Sequence, residues 1–188
     1  IVVSMLDRKL MKINEGNLSL HSDMSHLTPF QCNDMVIAKD GTAYVGNFGA
    51  DNAESNIKKT CLIAVSPEGK AKICASNLFF PNGAVITEDG NELIVGETFG
   101  GTLTSFKISK PGELINKSNW ANVMPKRYQI ITSIIRFLNI SLKESSNVPF
   151  PVPDGICLDA DYGIWVASPT TSEVIRYKKG GQITDRIA

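Results

Sequence analysis

The feature that most constrains this chain is that it repeats itself. Residues 33–48 read NDMVIAKDGTAYVGNF, residues 82–99 read NGAVITEDGNELIVGETF, and residues 154–169 read DGICLDADYGIWVASP. Each begins with Asn or Asp and continues as a short apolar strand. A turn follows (Asp40-Gly41, Asp89-Gly90, Asp161-Tyr162-Gly163), then a second strand ending at Val45, Val95 or Val166 and a small residue, Gly46, Gly96 or Ala167. Asp-Gly turns between apolar, β-branched runs are the strongest short-range hairpin signal. Downstream of each unit lies a third apolar stretch (Cys61–Val65, Leu103–Phe106, Val174–Tyr177), then a Gly- or Pro-rich turn leading to a fourth strand. The N-terminal residues fit the same template from its second strand onward, through Val2-Val3-Ser4, Leu10–Ile13 and Leu18–Leu20.

Four strands per unit, recurring at an interval of 49 residues, is the spacing of propeller blades. The next interval is 72 residues, so about 23 are inserted before the last unit. The expected fold is therefore all-β, a β-propeller of four-stranded blades in a single domain, residues 1–188, with an insertion or cap over 120–152. Three blades and a partial one are fewer than a comfortably closed ring, since propellers have about four to eight blades. With a start in mid-strand at Ile1-Val2-Val3, this predicts a fragment truncated at both ends.

Composition narrows the function classes. Nineteen Lys and Arg balance nineteen Asp and Glu, so no basic surplus points to nucleic acid or an anionic membrane. No apolar run is long enough for a transmembrane segment, and no signal peptide is visible. Four dispersed cysteines without a C-x-x-C pair read as free thiols rather than a zinc or disulfide framework. The two histidines, His21 and His26, fall in an outer strand and a linker, away from the phase of the repeat that faces the axis.

In a propeller the innermost strand of each blade borders the central channel. Asn33, Asn82 and Asp154 open their units in the same phase, so they are expected to converge there. Oxygen-bearing side chains meeting at an axis suit a hard cation such as calcium or magnesium. The alternative is that each only forms the turn before its strand. Both readings stand at this level.

The stretches NDMVIAKDGTAYVGNFG, FPNGAVITEDGNELIVGETFGGTLTSFKI and VPDGICLDADYGIWVASPTTSEVIRYKKGG resemble the senescence marker protein/gluconolactonase, or regucalcin-like, family of calcium-dependent six-bladed propellers; VVSMLDRKLMKI matches more loosely. The resemblance implies a divalent cation on the axis, calcium foremost, with magnesium, manganese or zinc as alternatives. It implies Asn82 and Asp154 as metal ligands and a Glu, expected upstream of Ile1, as a third. Asn33, Asp51 and Gln31 fall where the family binds substrate. Gln31 stands where some members have an Arg contacting a sugar acid, which puts sugar-lactone specificity in doubt.

The implied activity is metal-dependent hydrolysis of a small-molecule lactone or related ester, with Asp154 also the candidate catalytic base. Two alternatives are carried: a non-catalytic calcium- or ligand-binding propeller, and a strictosidine synthase-like enzyme. In the insertion, Ile130, Ile131, Ile134, Ile135 and Leu138 make a helical stripe, predicting a helix near 126–142 that caps an apolar channel mouth. Compartment and oligomeric state stay open, with the cytoplasm slightly favoured.

Overall fold

In the computed structural model, residues 1–50, 57–130 and 150–188 are described. They form fifteen strands in four antiparallel sheets. The first sheet has β1 (Val2–Ser4), β2 (Lys9–Asn14) and β3 (Asn17–Asp23). The second has β4 (Cys32–Ile37), β5 (Ala43–Asn47), β6 (Thr60–Val65) and β7 (Ala71–Leu78). The third has β8 (Pro81–Ile86), β9 (Glu92–Glu97), β10 (Thr102–Lys110) and β11 (Glu113–Asn122). The fourth has β12 (Ile156–Leu158), β13 (Ile164–Ser168), β14 (Glu173–Tyr177) and β15 (Ile183–Ile187).

Each sheet is ordered as a meander, β4-β5-β6-β7 and its counterparts, the order the repeat predicted. The opening strands pack beside one another, β4 on β8 and β8 on β12. The second strand β5 also lies against β8, and β1 lies against β4 in the same way. That makes β1 the second strand of its blade.

The middle strands read as near-continuous apolar runs because both of their faces are buried. On β5, Ala43 and Val45 join Leu10, Met24, Cys61, Ile63 and Val65 between the first two sheets. Tyr44, between them in sequence, faces the other way and packs with Leu62, Ala64, Leu93, Val95 and Phe106. On β9, Ile94 points onward to Leu103, Ile164, Val166 and Ile175. This is the strand period of two used on both faces at once. Each fully buried Leu or Ile contributes about 1.5–3 kcal/mol, so blade-to-blade stacking holds the array together. The fourth strands bury at most two residues each, and every residue of β15 is exposed.

The hairpin turns follow the expected chemistry at Gly41 (φ 87°) and Gly90 (φ 74°), which take the left-handed backbone. In the last blade Tyr162 takes it instead, at φ 58°. Gly163 has a different reason to be glycine. A Cβ there would stand 2.5 Å from the Arg176 guanidinium carbon.

β11 runs through Asn122, so residues 120–122 of the expected insertion belong to the third blade. The predicted helix starts on schedule: residues 126–130 are helical, with the amides of Tyr128 and Gln129 bonded to the Pro125 carbonyl. Its continuation to 142 lies outside the described residues.

Candidate functional site

The opening strands do not begin as regular strands. On β8, Pro81 pairs with Glu97 and Ala84 with Val95, so Asn82 and Gly83 together oppose the single residue Gly96. On β4, Cys32 pairs with Asn47 and Met35 with Val45, so Asn33 and Asp34 oppose Gly46. In the last blade the Asp154 amide donates to the Ala167 carbonyl and the Ala167 amide to the Gly155 carbonyl, so Asp154 and Gly155 share Ala167. Two residues against one is a β-bulge, a device that re-aims a side chain. The Asn or Asp of each repeat is the first residue of that bulge.

The small residue opposite each bulge also has a reason. A Cβ on Gly46 would stand 2.1 Å from the Pro81 carbonyl oxygen of the next blade, and one on Gly96 would stand 3.1 Å from the Pro153 Cβ. Gly83 is hemmed in by backbone alone, with Asp154 O at 2.5 Å and Ile156 N at 2.6 Å from its would-be Cβ. The opening strands touch backbone to backbone.

That contact joins two residues 72 apart in sequence: Asn82 Nδ2 donates to Asp154 Oδ1 at 2.6 Å. The Gly83 amide adds a 3.2 Å bond to the Asp154 carbonyl. Asn82 is buried, and its amide orientation is set by Thr98. Thr98 Oγ1 donates its only proton to the Pro153 carbonyl at 2.8 Å, so it must accept from Asn82 Nδ2 at 3.1 Å. Both amide protons are then engaged, one on Thr98 and one on Asp154. Among the described residues Asn82 Oδ1 and Asp154 Oδ2 have no hydrogen-bond partner.

Behind this pair, Glu97 ends β9 with a buried carboxylate that accepts from the Phe79 amide at 2.7 Å and from Thr104 Oγ1 at 2.5 Å. Lys117 Nζ lies 4.0 Å from Glu97 Oε1. Glu97 thereby ties down the Phe79-Phe80-Pro81 segment that delivers Asn82.

The other sequence-predicted residues are placed differently. Asn33 is half-buried at its own bulge and, among the described residues, bonds to neither Asn82 nor Asp154. Gln31, half-buried just before β4, accepts the Phe48 amide on its backbone carbonyl at 3.0 Å. Asp51 lies outside the described residues. Thr98 and Glu97 were not singled out in sequence. The signal for Glu97 was present in the second-strand ends, where Asn47, Glu97 and Ser168 occupy one phase as buried polar residues.

Carboxylate and carboxamide oxygens side by side are the donor types a hard cation takes, and two unpartnered oxygens are part of the six to eight that calcium needs. The described residues hold no cluster of three or more His, Cys, Asp or Glu around one point.

Stacked four-stranded blades whose bulged opening strands bring a carboxamide to a carboxylate define a β-propeller with a polar site between two blades. The chain belongs to the SMP-30/gluconolactonase/LRE-like family, which matches residues 1–188 throughout. In fold it is similar to a calcium-binding protein, regucalcin, of Agrobacterium tumefaciens: 19% identity, TM-score 0.68, 96% of this chain and 54% of that one. It is similar also to a luciferin-regenerating enzyme (14%, TM-score 0.71, 96% and 56%) and to a gluconolactonase from Xanthomonas campestris (21%, TM-score 0.63, 94% and 54%). The chain thus spans about half the length of these structures. No curated protein matches it by sequence. Among the described residues no helix is long and apolar enough to cross a membrane.

Proposed function

We propose that this chain carries the axial site of a metal-dependent hydrolase of lactones or related esters, with Asn82 and Asp154 as two of its oxygen ligands. The observation that carries the reading is the 2.6 Å contact between Asn82 and Asp154, built by bulges in two different blades. Family membership and the regucalcin and gluconolactonase folds support it. A bound divalent cation, calcium foremost, would supply Lewis acidity at the substrate carbonyl.

The chain's own residues do the rest. Asn82 is locked by Thr98, so its Oδ1 can serve as a ligand without reorganisation. Asp154 accepts a proton from water as the water attacks the carbonyl carbon. It returns that proton to the ring oxygen as the carbon–oxygen bond breaks. The Asn82 amide, bonded to Oδ1, steadies the Asp154 carboxylate throughout.

A second reading, ligand or calcium binding without turnover, is favoured by one observation. The same fold occurs in the nidogen/laminin complex (12% identity, TM-score 0.63). Calorimetric titration of calcium into the full-length protein, with lactone hydrolysis followed at constant pH, separates the two. The hydrolase reading expects both signals, and expects Asp154→Ala to abolish turnover. Calcium binding with no hydrolysis across a panel of lactones leaves only the binding reading. Neither signal refutes both.

A further inference from the structure

Three aromatic rings pack together, two of them on the segments that carry Asn82 and Thr98. Phe48 and Phe80 have centroids 4.5 Å apart, and Phe80 and Phe99 5.1 Å apart, all tilted. They come from three different segments: the loop after β5, the entry to β8 and the loop after β9. Two of them adjoin the polar pair through the chain. Phe80 lies two residues before Asn82, and Phe99 directly follows Thr98, which accepts the Asn82 amide.

Phe80 sits at φ 53°, a backbone conformation that bulky side chains rarely adopt and that marks places where geometry is enforced. Its carbonyl is held there by the Thr98 amide at 3.1 Å. Phe80 is buried, whereas Phe48 and Phe99 are half-buried. The other approach is apolar as well: buried Val152 and Pro153 precede Asp154, as Phe80 and Pro81 precede Asn82.

We propose that Phe48, Phe80 and Phe99 form the wall that receives the apolar part of the substrate, so that the site takes lactones or esters bearing an aryl or alkyl group rather than polyhydroxylated ones. The assignment rests on the axial pair being the reaction centre. Ring faces reward buried hydrocarbon and stacked aromatics but offer no partner to a row of hydroxyls, each of which loses its water on entry.

The test uses a probe that the site cannot turn over. Pyrrolidinone and phenylpyrrolidinone are lactams of one ring that differ by a phenyl group. Their binding to the intact chain is measured by ligand-observed NMR. The phenyl compound is expected to bind about tenfold or more tightly, the worth of burying one such group. Phe48→Ala and Phe99→Ala should each shrink that preference to about threefold or less, with circular dichroism confirming the fold; Phe48→Leu, which keeps apolar bulk, should retain most of it. Asp154→Asn should leave the preference intact.

Equal binding of the two lactams, or an undiminished preference in both folded alanine variants, overturns the wall. If both alanine variants unfold, intermolecular NOEs between the phenyl protons of the bound lactam and the Phe48 or Phe99 ring protons of the wild type support the wall, and their absence overturns it. A phenyl preference without lactone hydrolysis in the full-length protein retains the wall and removes the hydrolase. Hydrolysis that favours polyhydroxylated lactones retains the hydrolase and removes the wall.

Discussion

Replacing Gly83 by alanine puts a methyl group where β12 crosses β8. Gly83 is not in the left-handed region, so the penalty is one of contact rather than backbone strain. The new Cβ would lie 2.5 Å from the Asp154 carbonyl oxygen, 2.6 Å from the Ile156 nitrogen and 2.8 Å from the Gly155 Cα. All three are backbone atoms, so no side chain can swing aside. Reaching an ordinary 3.4 Å contact requires β12 to retreat by about 0.9 Å. The Gly83–Asp154 backbone bond, already 3.2 Å, would break, and the 2.6 Å Asn82–Asp154 bond would open to about 3.5 Å. Overpacking of this kind costs about 1–3 kcal/mol, and the lost hydrogen bond adds about 0.5–1.5 kcal/mol. A total of about 2–4 kcal/mol corresponds to a fall in Tm of roughly 5–15 °C for a domain of this size. Calorimetry measures it. Gly155→Ala is the control, since its Cβ meets nothing within 4 Å. Equal melting temperatures for the two variants would refute the close approach of the inner strands, and with it the geometry of the site.

Other outcomes follow from the same contacts. Thr98→Val removes the hydroxyl that links Asn82 to the Pro153 carbonyl; it should destabilise the fold by about 1–3 kcal/mol in urea unfolding, where a change under about 0.5 kcal/mol would show that Asn82 is oriented by something else. The Asp159 carboxyl is held well below the usual carboxylate range, first by the hydrogen bonds from Arg176 and then by the Gly163 and Asp161 amides. A carboxylate with a depressed folded-state value stabilises above its unfolded value of about 3.9 and loses that contribution as pH falls towards the folded value. Asp159→Asn should therefore flatten the acid limb of stability against pH; an unchanged limb would count against the pair. Burial pushes the Cys32 thiol up to about 11, and Cys61 is also buried and raised, whereas Cys157 is exposed. A thiol reagent near neutral pH should modify Cys157 first in the folded protein, and mass spectrometry of the early product checks this.

Strand order, hairpin turns and blade period were legible because they depend on local periodicity. Asp40-Gly41 and Asp89-Gly90 announce their turns, and apolar runs such as Cys61–Val65 announce strands buried on both faces. The start of a helix at 126 was legible for the same reason. The site was legible only as a phase: the repeat put Asn33, Asn82 and Asp154 in register without saying which of them touch. Asn82 and Asp154 meet, whereas Asn33 has its own bulge and no bond to either. Glu97 escaped notice because a polar residue ending a strand reads equally as a surface residue, and Thr98 because its counterparts in the other units are Phe48 and Pro169. The roles of Glu97 and Thr98 exist only once β8 lies against β12 and β9.

The sequence by itself thus determined that this chain would make four-stranded blades opening on Asn or Asp, because turn chemistry and the strand period are properties of neighbouring residues. Why a strand should open on a polar residue was decided by the tertiary structure. Asn82 and Gly83 share one partner across the sheet, and that bulge turns the carboxamide towards a carboxylate 72 residues away. Gly46, Gly96 and Gly83 let the blades close far enough for the two to meet, and a contact between blades is fixed by their packing rather than by residues adjacent in the chain.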